Sequence, residues 1–446
     1  MNIEESENLA KRRLTDVPSY LIEVRDLLRE SQPEVWEWFR SVQQTQAARE
    51  AVSLDLLKST VRLEPDGNAE LYRLAQSAIE SLDLDVPITF YQAKQSGRTA
   101  GHFNASISCD PNQAHLVMQG DLQEHLDTAE LSAVFGHELS HLLLWNLQDG
   151  EFLHTWNMLI ALSNDAAQQP IYSETLRLFS QYSEIFCDRG AAVVAGSYAP
   201  VVSSLIKIVT GVKSVKVKDY LRQANEIFSK DDRQGSQEVT HPQLYIRARA
   251  LDLWQKNAKD TESSIEAMVQ GNLSLDRMDY CRQGIARDLT REVLDAALEP
   301  TWMRCEATLA HARLYFEDYE PGDWKPGRLV KQLSNADKDF LDYVGYVMLD
   351  VVTADRDLLE PALAHTIGLA ETFGIKDAYL ESVRKELRLR KKQLEQIEKS
   401  ADELAKNAAE IQQQAQQNKQ RGESVEDKAV EEKTDDNASK SAEDEA

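Results

Sequence analysis

Leu126-Asp127-Thr128-Ala129-Glu130-Leu131-Ser132-Ala133-Val134-Phe135-Gly136-His137-Glu138-Leu139-Ser140-His141-Leu142-Leu143-Leu144-Trp145 is the stretch on which the reading of the fold turns. Its spacing predicts one helix. Asp127 suits the N-cap, and Glu130, three residues on, can reach back to the cap's N–H. Leu131, Val134, Phe135, Leu139, Leu142 and Leu143 recur at three- and four-residue steps, so one face is expected to be apolar and buried. His137 and His141 are one turn apart on a shared face, where two imidazoles can point at one ion. Glu138 lies beside that face, and a carboxylate there can take a proton from a metal-bound water.

Working outward, three short β-like segments precede this helix. They are Val86-Pro87-Ile88-Thr89-Phe90-Tyr91, then Gly101 to Cys109 with Phe103, Ala105 and Ile107 alternating, then Ala114-His115-Leu116-Val117-Met118. Asp110-Pro111-Asn112 is the turn between the last two. His102 and His115, on or beside strands, are expected at the surface. After the motif, a polar stretch from Ser163 to Pro170 leads into a long helix that carries Ser183-Glu184-Ile185-Phe186-Cys187-Asp188-Arg189. Glu184 and Asp188 share one face. That face is either a solvated acidic surface or a metal-facing one, where Asp188 could orient a metal-bound imidazole through its free ring N–H. In Thr240-His241-Pro242-Gln243-Leu244-Tyr245-Ile246-Arg247, the proline suggests a loop running into a helix. His241, Tyr245 or Arg247 could donate to the oxyanion of a tetrahedral intermediate, or could simply hold that junction together.

These three segments together resemble the HtpX-like and CAAX-prenyl-endopeptidase family of gluzincin metallopeptidases, from about Leu71 to Leu251. The fold expected is α+β: the resemblance implies a mostly helical zincin-type metallopeptidase domain with a small three-stranded sheet, and the pattern from about Asp252 to Ile375 adds an all-helical C-terminal region. The resemblance implies one Zn2+ per chain, held by His137, His141 and Glu184, with Glu138 as general base and Asp188 behind the ligands. It matches His241-Pro242 and the Arg247 that follows to the family's closing segment; His241 is read as catalytic, and Tyr245 and Arg247 as transition-state or structural residues. It also implies a protein or peptide substrate lying extended along an edge strand between Phe103 and Met118. Membrane-embedded members of that family have spanning segments, whereas here the most apolar run, Gly190 to Val212, is interrupted by Pro200 and reads as two core helices. The soluble branch is therefore the one resembled.

The whole chain sets bounds on this reading. It has 446 residues, 42% hydrophobic and 28% charged, which describes a globular protein of more than one domain. A net charge of −25 argues against nucleic acid as a partner, because a phosphate backbone needs a basic face. The acidic start Met1-Asn2-Ile3-Glu4-Glu5 does not read as a secretory signal. Cys109, Cys187, Cys281 and Cys305 are few and scattered, as expected of free thiols in a reducing cytoplasm.

The expected divisions are an N-terminal helical segment over 1–65, the metallopeptidase domain over 66–255 and a helical domain over 256–385. A coiled coil or long helix follows over 386–420, and a disordered acidic tail over 421–446. Leu349 to Glu360 faintly resembles TerB-like helical domains, which implies Asp355, Asp357 and Glu360 as candidate cation ligands, although a solvated helix start explains the same acids. Leu394, Ile397, Ala401, Leu404, Ala408, Ile411 and Ala415 keep heptad spacing, so the C-terminal helices could join copies of this chain or bind a protein partner, or lie on the body. The alternative to an enzyme is a catalytically silent scaffold of the same fold that binds a partner through this half. An intact Glu138 argues against it.

Overall fold

The computed structural model describes residues 14, 16–41, 46–93, 103–108, 110, 112–164, 170–230, 235–237, 241–257 and 260–414. His102, Cys109 and the acidic tail expected over 421–446 lie outside them. The chain divides into two compact units, Met1–Gln283 and Gly284–Ala446.

The first unit holds a sheet of four strands, β1 (Thr60–Leu63), β2 (Ile88–Ala93), β3 (Asn104–Ile107) and β4 (Ala114–Gln119), in the order β1-β2-β4-β3. β2 and β4 run parallel, and β1 and β3 add antiparallel at the two edges. The expectation of three strands is thus corrected to four. β1 is only four residues long with an exposed middle, too short for alternation to distinguish it from the end of the helix before it. Asp110 forms the expected turn: its carboxylate accepts the Asn112 N–H and its carbonyl the Gln113 N–H. β4 is an inner strand, and His115 on it is buried, 2% exposed, with Tyr91 Oη 3.2 Å from its Nδ1. The surface placement expected for His115 is therefore overturned, because a strand flanked on both sides and covered by helices buries both of its faces.

The motif helix (Thr128–Asn146) lies against this sheet and is buried on every side rather than along one stripe. Leu131, Val134 and Phe135 join the cluster beneath the sheet with Phe90, Ala105 and Leu116. Leu139, Leu142 and Leu144 enter a second cluster with Phe152, Phe179 and Phe186. Each such side chain removed from water stabilises the fold by roughly 1.5–3 kcal/mol, so the helix is held rigidly by its surroundings. The long helix Pro170–Val194, here the carboxylate helix, crosses it. The turn after that helix holds Gly196 at a positive φ of 71°, and a new helix runs Tyr198–Thr210. The apolar run therefore breaks at Gly196, and Pro200 sits in the first turn of the second helix. Among the described residues no helix is long and apolar enough to cross a membrane.

Helix Thr261–Gln270 belongs to the first unit: Ile265 and Val269 enter its core with Cys281. The first compact unit accordingly runs on to Gln283, past the end of the expected 66–255 segment. The second unit is helical throughout its described residues, with Phe340, Val344, Met348, Leu363, Ile367 and Tyr379 fully buried. Within it, the described part of the expected 386–420 segment lies on the body. Leu394, Ile397 and Ala408 are buried, Lys376 Nζ is 2.6 Å from Glu398, and Gln412 donates to the Thr301 carbonyl. Leu394, Ile397 and Ala408 of its apolar stripe are thus covered by the same chain, while Ile411 is 65% exposed. Asp355 accepts from the Asp357 N–H and from Cys305 Sγ, and among the described residues Asp355, Asp357 and Glu360 do not gather as a metal-ligand group.

Candidate metal centre

The motif helix starts in a reciprocal cap. Asp127 accepts the Glu130 N–H, and Glu130 accepts the Asp127 N–H. Glu130 also receives Lys207 Nζ and the Ser203 hydroxyl, each at 2.6 Å, which ties this end to helix Tyr198–Thr210. Farther along, two glycines let the helices approach. A Cβ on Gly136 would stand 2.8 Å from Val194, and one on Gly190 would stand 1.8 Å from Ser140 Oγ. The carboxylate helix thus passes close to the face that carries both histidines.

That approach brings His137 Nε2 to 3.3 Å from Glu184 Oε2, and His141 Nε2 to 3.4 Å from Glu184 Oε1. The ligand atoms of the three lie within 4.8 Å of one another, and no other such group occurs among the described residues. Behind them, His137 Nδ1 is 3.0 Å from Asp188 Oδ1. Arg247 clasps the same carboxylate, donating from Nε to Oδ2 at 2.8 Å and from Nη2 to Oδ1 at 2.6 Å. Since Asp188 can only accept, a His137 proton is assigned to Nδ1, and Nε2 is the nitrogen turned to Glu184, free to exchange its proton for an ion.

The electrostatics follow from this geometry. Burial pushes the His137 imidazole down, but the Glu184 and Asp188 carboxylates outweigh it and raise it to about 10. Burial opposes the charged Glu184 carboxylate, yet the adjacent His137 holds it well below the usual carboxylate range. Asp188 is lowered in spite of burial, by Arg247. Burial raises Glu138, with His137 and His141 pulling it back, which favours a carboxylate that trades a proton readily.

The donor set fits a zinc ion. Two imidazole nitrogens and one carboxylate are the three protein ligands of a catalytic zinc site with one position left open. Glu184 Oε2 is buried and makes no well-formed hydrogen bond among the described residues, although His137 Nε2, His241 Nδ1 and Arg247 Nη2 lie 3.2–3.4 Å from it. Three carboxylates, Glu138, Glu184 and Asp188, gather here beside the single guanidinium of Arg247, an acidic setting that favours a bound cation.

The group opens on a cleft of about 510 Å³, whose wall includes Glu138 and the backbone of β3. β3 is an edge of the sheet, so one of its two backbone rows faces away from β4. His241 reaches the cleft, its Nδ1 3.2 Å from Glu184 Oε2, with its side chain 59% exposed. Arg247 lines the cleft too; its guanidinium clasps Asp188, and its Nη2 also lies 3.4 Å from Glu184 Oε2. Tyr245 is not among the described residues that line the cleft; its ring packs 5.2 Å from Phe228. The sequence reading passed over Gly136 and Gly190, although a glycine directly before His137 and another two residues after Asp188 were visible signals. It also passed over Trp145 and Trp156, which line the cleft.

Residues 65–255 match the family described as peptidase family M48. The chain is 28% identical over 222 residues to the plastoglobule-localized metallopeptidase 48, chloroplastic, of Arabidopsis thaliana, over 46% of this chain and 62% of that protein. It thus spans less than two thirds of that relative's length. No solved structure matches.

Proposed function

We propose, from the premise that residues 65–255 form a peptidase family M48 domain, that the protein is a zinc-dependent endopeptidase. The observation that carries this reading is the convergence of His137, His141 and Glu184 beside Glu138, in a cleft bordered by β3, the edge strand of the described sheet. His137, His141 and Glu184 would hold the ion, and Asp188, itself held by Arg247, fixes the His137 ring. Bound there, zinc supplies a Lewis acid for the scissile carbonyl and for a water molecule. Glu138 takes the proton of the attacking water and returns it to the leaving amine. β3 offers backbone partners to an extended protein or peptide substrate, reading conformation more than sequence. His241, at the mouth of the cleft, stands where it can donate to the developing oxyanion. The cysteines Cys187, Cys281 and Cys305 are free, which supports a reducing compartment such as the cytoplasm.

The test is metal content and casein turnover in the purified protein and its Glu138→Gln variant. Near-stoichiometric zinc in both, with turnover falling by at least about 10²-fold in the variant, supports the reading. Bound zinc with no turnover of any unfolded substrate by the unaltered protein sinks it.

A further inference from the structure

We infer that the cleft ends in a basic lip, Lys213, Lys216 and Lys218, which draws in substrates carrying an acidic stretch several residues from the scissile bond; this deepens the peptidase reading and rests on it. Helix Tyr198–Thr210 forms one wall of the cleft through Val201, Ser204, Leu205, Ile208 and Val209. It stops at Gly211, held at a φ of 70°, and the chain turns into helix Val217–Lys230. In that turn the side chains alternate. Val215 and Val217 pack against the cluster of Ala191, Val202 and Trp254, while Lys213, Lys216 and Lys218 are exposed. The turn is therefore pinned, with its ammonium groups held outward. The charges next to them in sequence are engaged, Lys207 with Glu130 and Asp219 with Arg222, and among the described residues none of the three lysines forms an ion pair. Between Asp188 and Asp219 the sequence has no acidic residue, in a chain that carries 75 of them. The charge of this lip is thus opposite to that of the whole molecule, and to that of the metal centre, where Glu138, Glu184 and Asp188 gather.

The charge pattern sets what the lip accepts. Lys213 follows the cleft-lining Val209 by four residues, at most about 14 Å of chain. A peptide extended along β3 advances about 3.3 Å per residue, so side chains several residues from the cleaved bond come within reach. An acid beside that bond would face the carboxylates of the centre, whereas the same acid farther out meets ammonium groups. The occupant is a peptide rather than a membrane, because the turn continues the cleft wall. It also offers only Val209 and Val212 as large exposed apolar side chains, with no exposed aromatic residue beside them to seat in a lipid interface. Attraction of this kind acts on substrate and transition state alike, so it lowers KM and leaves kcat unchanged.

The experiment uses peptides that share one cleavable core and carry a run of Asp, of Ser or of Lys starting about four residues from the bond, on one flank or on the other. Cleavage is measured with the zinc-loaded protein, and binding with the Glu138→Gln variant by fluorescence anisotropy. The expected result, on one flank, is a KM and a Kd about 3–30-fold lower for the Asp peptide than for the Ser peptide, with kcat unchanged. That advantage should vanish at about 0.5 M salt. Combining Lys213→Glu, Lys216→Glu and Lys218→Glu should turn the preference towards the Lys peptide. If the triple variant melts early, Lys213→Gln and the salt series carry the test. Equal KM and Kd for all peptides on both flanks, or an order that neither variant nor salt moves, overturns the lip and leaves the peptidase standing. Binding to phosphatidylserine vesicles that the triple variant abolishes, with the peptides equal, also overturns it and gives the turn to a membrane. Charge-ordered binding by a protein that cleaves nothing keeps the lip and removes the peptidase. Neither binding nor cleavage overturns both.

Discussion

Gly190 and Ser140 meet at a helix crossing so tight that a methyl group on Gly190 would stand 1.8 Å from Ser140 Oγ. Ser140 directly precedes His141, and Gly190 lies two residues after Asp188, so this contact sets the separation of the two halves of the candidate site. Gly190→Ala is expected to force the helices apart and to cost about 1–3 kcal/mol, with weaker zinc binding. Adding Ser140→Gly, which removes the obstructing side chain, should recover much of both. Denaturant unfolding and a competitive zinc titration measure the two effects. A Gly190→Ala protein unchanged in stability and in affinity would show that the crossing does not position the ligands.

The Asp188–Arg247 pair is buried, so its members are expected to be strongly coupled. Arg247→Met strands a carboxylate at 1% side-chain exposure, a loss of about 3–5 kcal/mol. Asp188→Asn removes the acceptor that orients His137 and should weaken zinc binding about 10–100-fold. The double variant should lose less stability than the two single losses added together. Chemical denaturation of all four proteins measures that coupling, and strict additivity would contradict the pairing.

The parts of the site that a single helix determines were legible in the sequence. His137, Glu138 and His141 are fixed relative to one another by four residues of helix, and Asp127 with Glu130 announces where that helix starts. Glu184 was reachable only through the family resemblance, because nothing local shows that a carboxylate more than forty residues on will face two imidazoles. The role of Gly190 was hidden for the same reason: a missing Cβ matters only once its neighbour is known. β1 was lost to its brevity. That helix Thr261–Gln270 packs into the first unit was not legible, because the apolar faces of Ile265 and Val269 announce burial without saying in which core.

His115 makes a pH prediction possible away from the metal ligands. Burial lowers its imidazole below the ordinary value, with Asp110 partly opposing. Near pH 6.5 and below, the unfolded chain takes up a proton there that the folded chain refuses, so the contribution of His115 is present above about pH 6.5 and is lost as acid carries the pH towards its folded value. Thermal unfolding between pH 7.5 and 5 should therefore fall less steeply for His115→Gln than for the unaltered protein. Parallel slopes would mean that His115 titrates normally in the fold.

The outer row of β3 gives the sharpest test of how a substrate would lie. Ser108 N–H donates to the His115 carbonyl, so by alternation Ser106 and Ser108 point their backbone groups at β4, and Ala105 and Ile107 point theirs away. Ile107→Pro removes one outward N–H and keeps the ladder, which an edge strand tolerates. Ser106→Pro removes a ladder donor instead. The first should lower kcat/KM by about 2–10-fold, the worth of one backbone hydrogen bond of roughly 0.5–1.5 kcal/mol, with the melting temperature nearly kept. The second should lower the melting temperature itself. Ile107→Val, which keeps the N–H, controls for the lost side chain and should retain activity. If Ile107→Pro turns over an extended peptide as fast as the valine control, substrate does not pair with this edge, and the cleft must hold it by side chains alone.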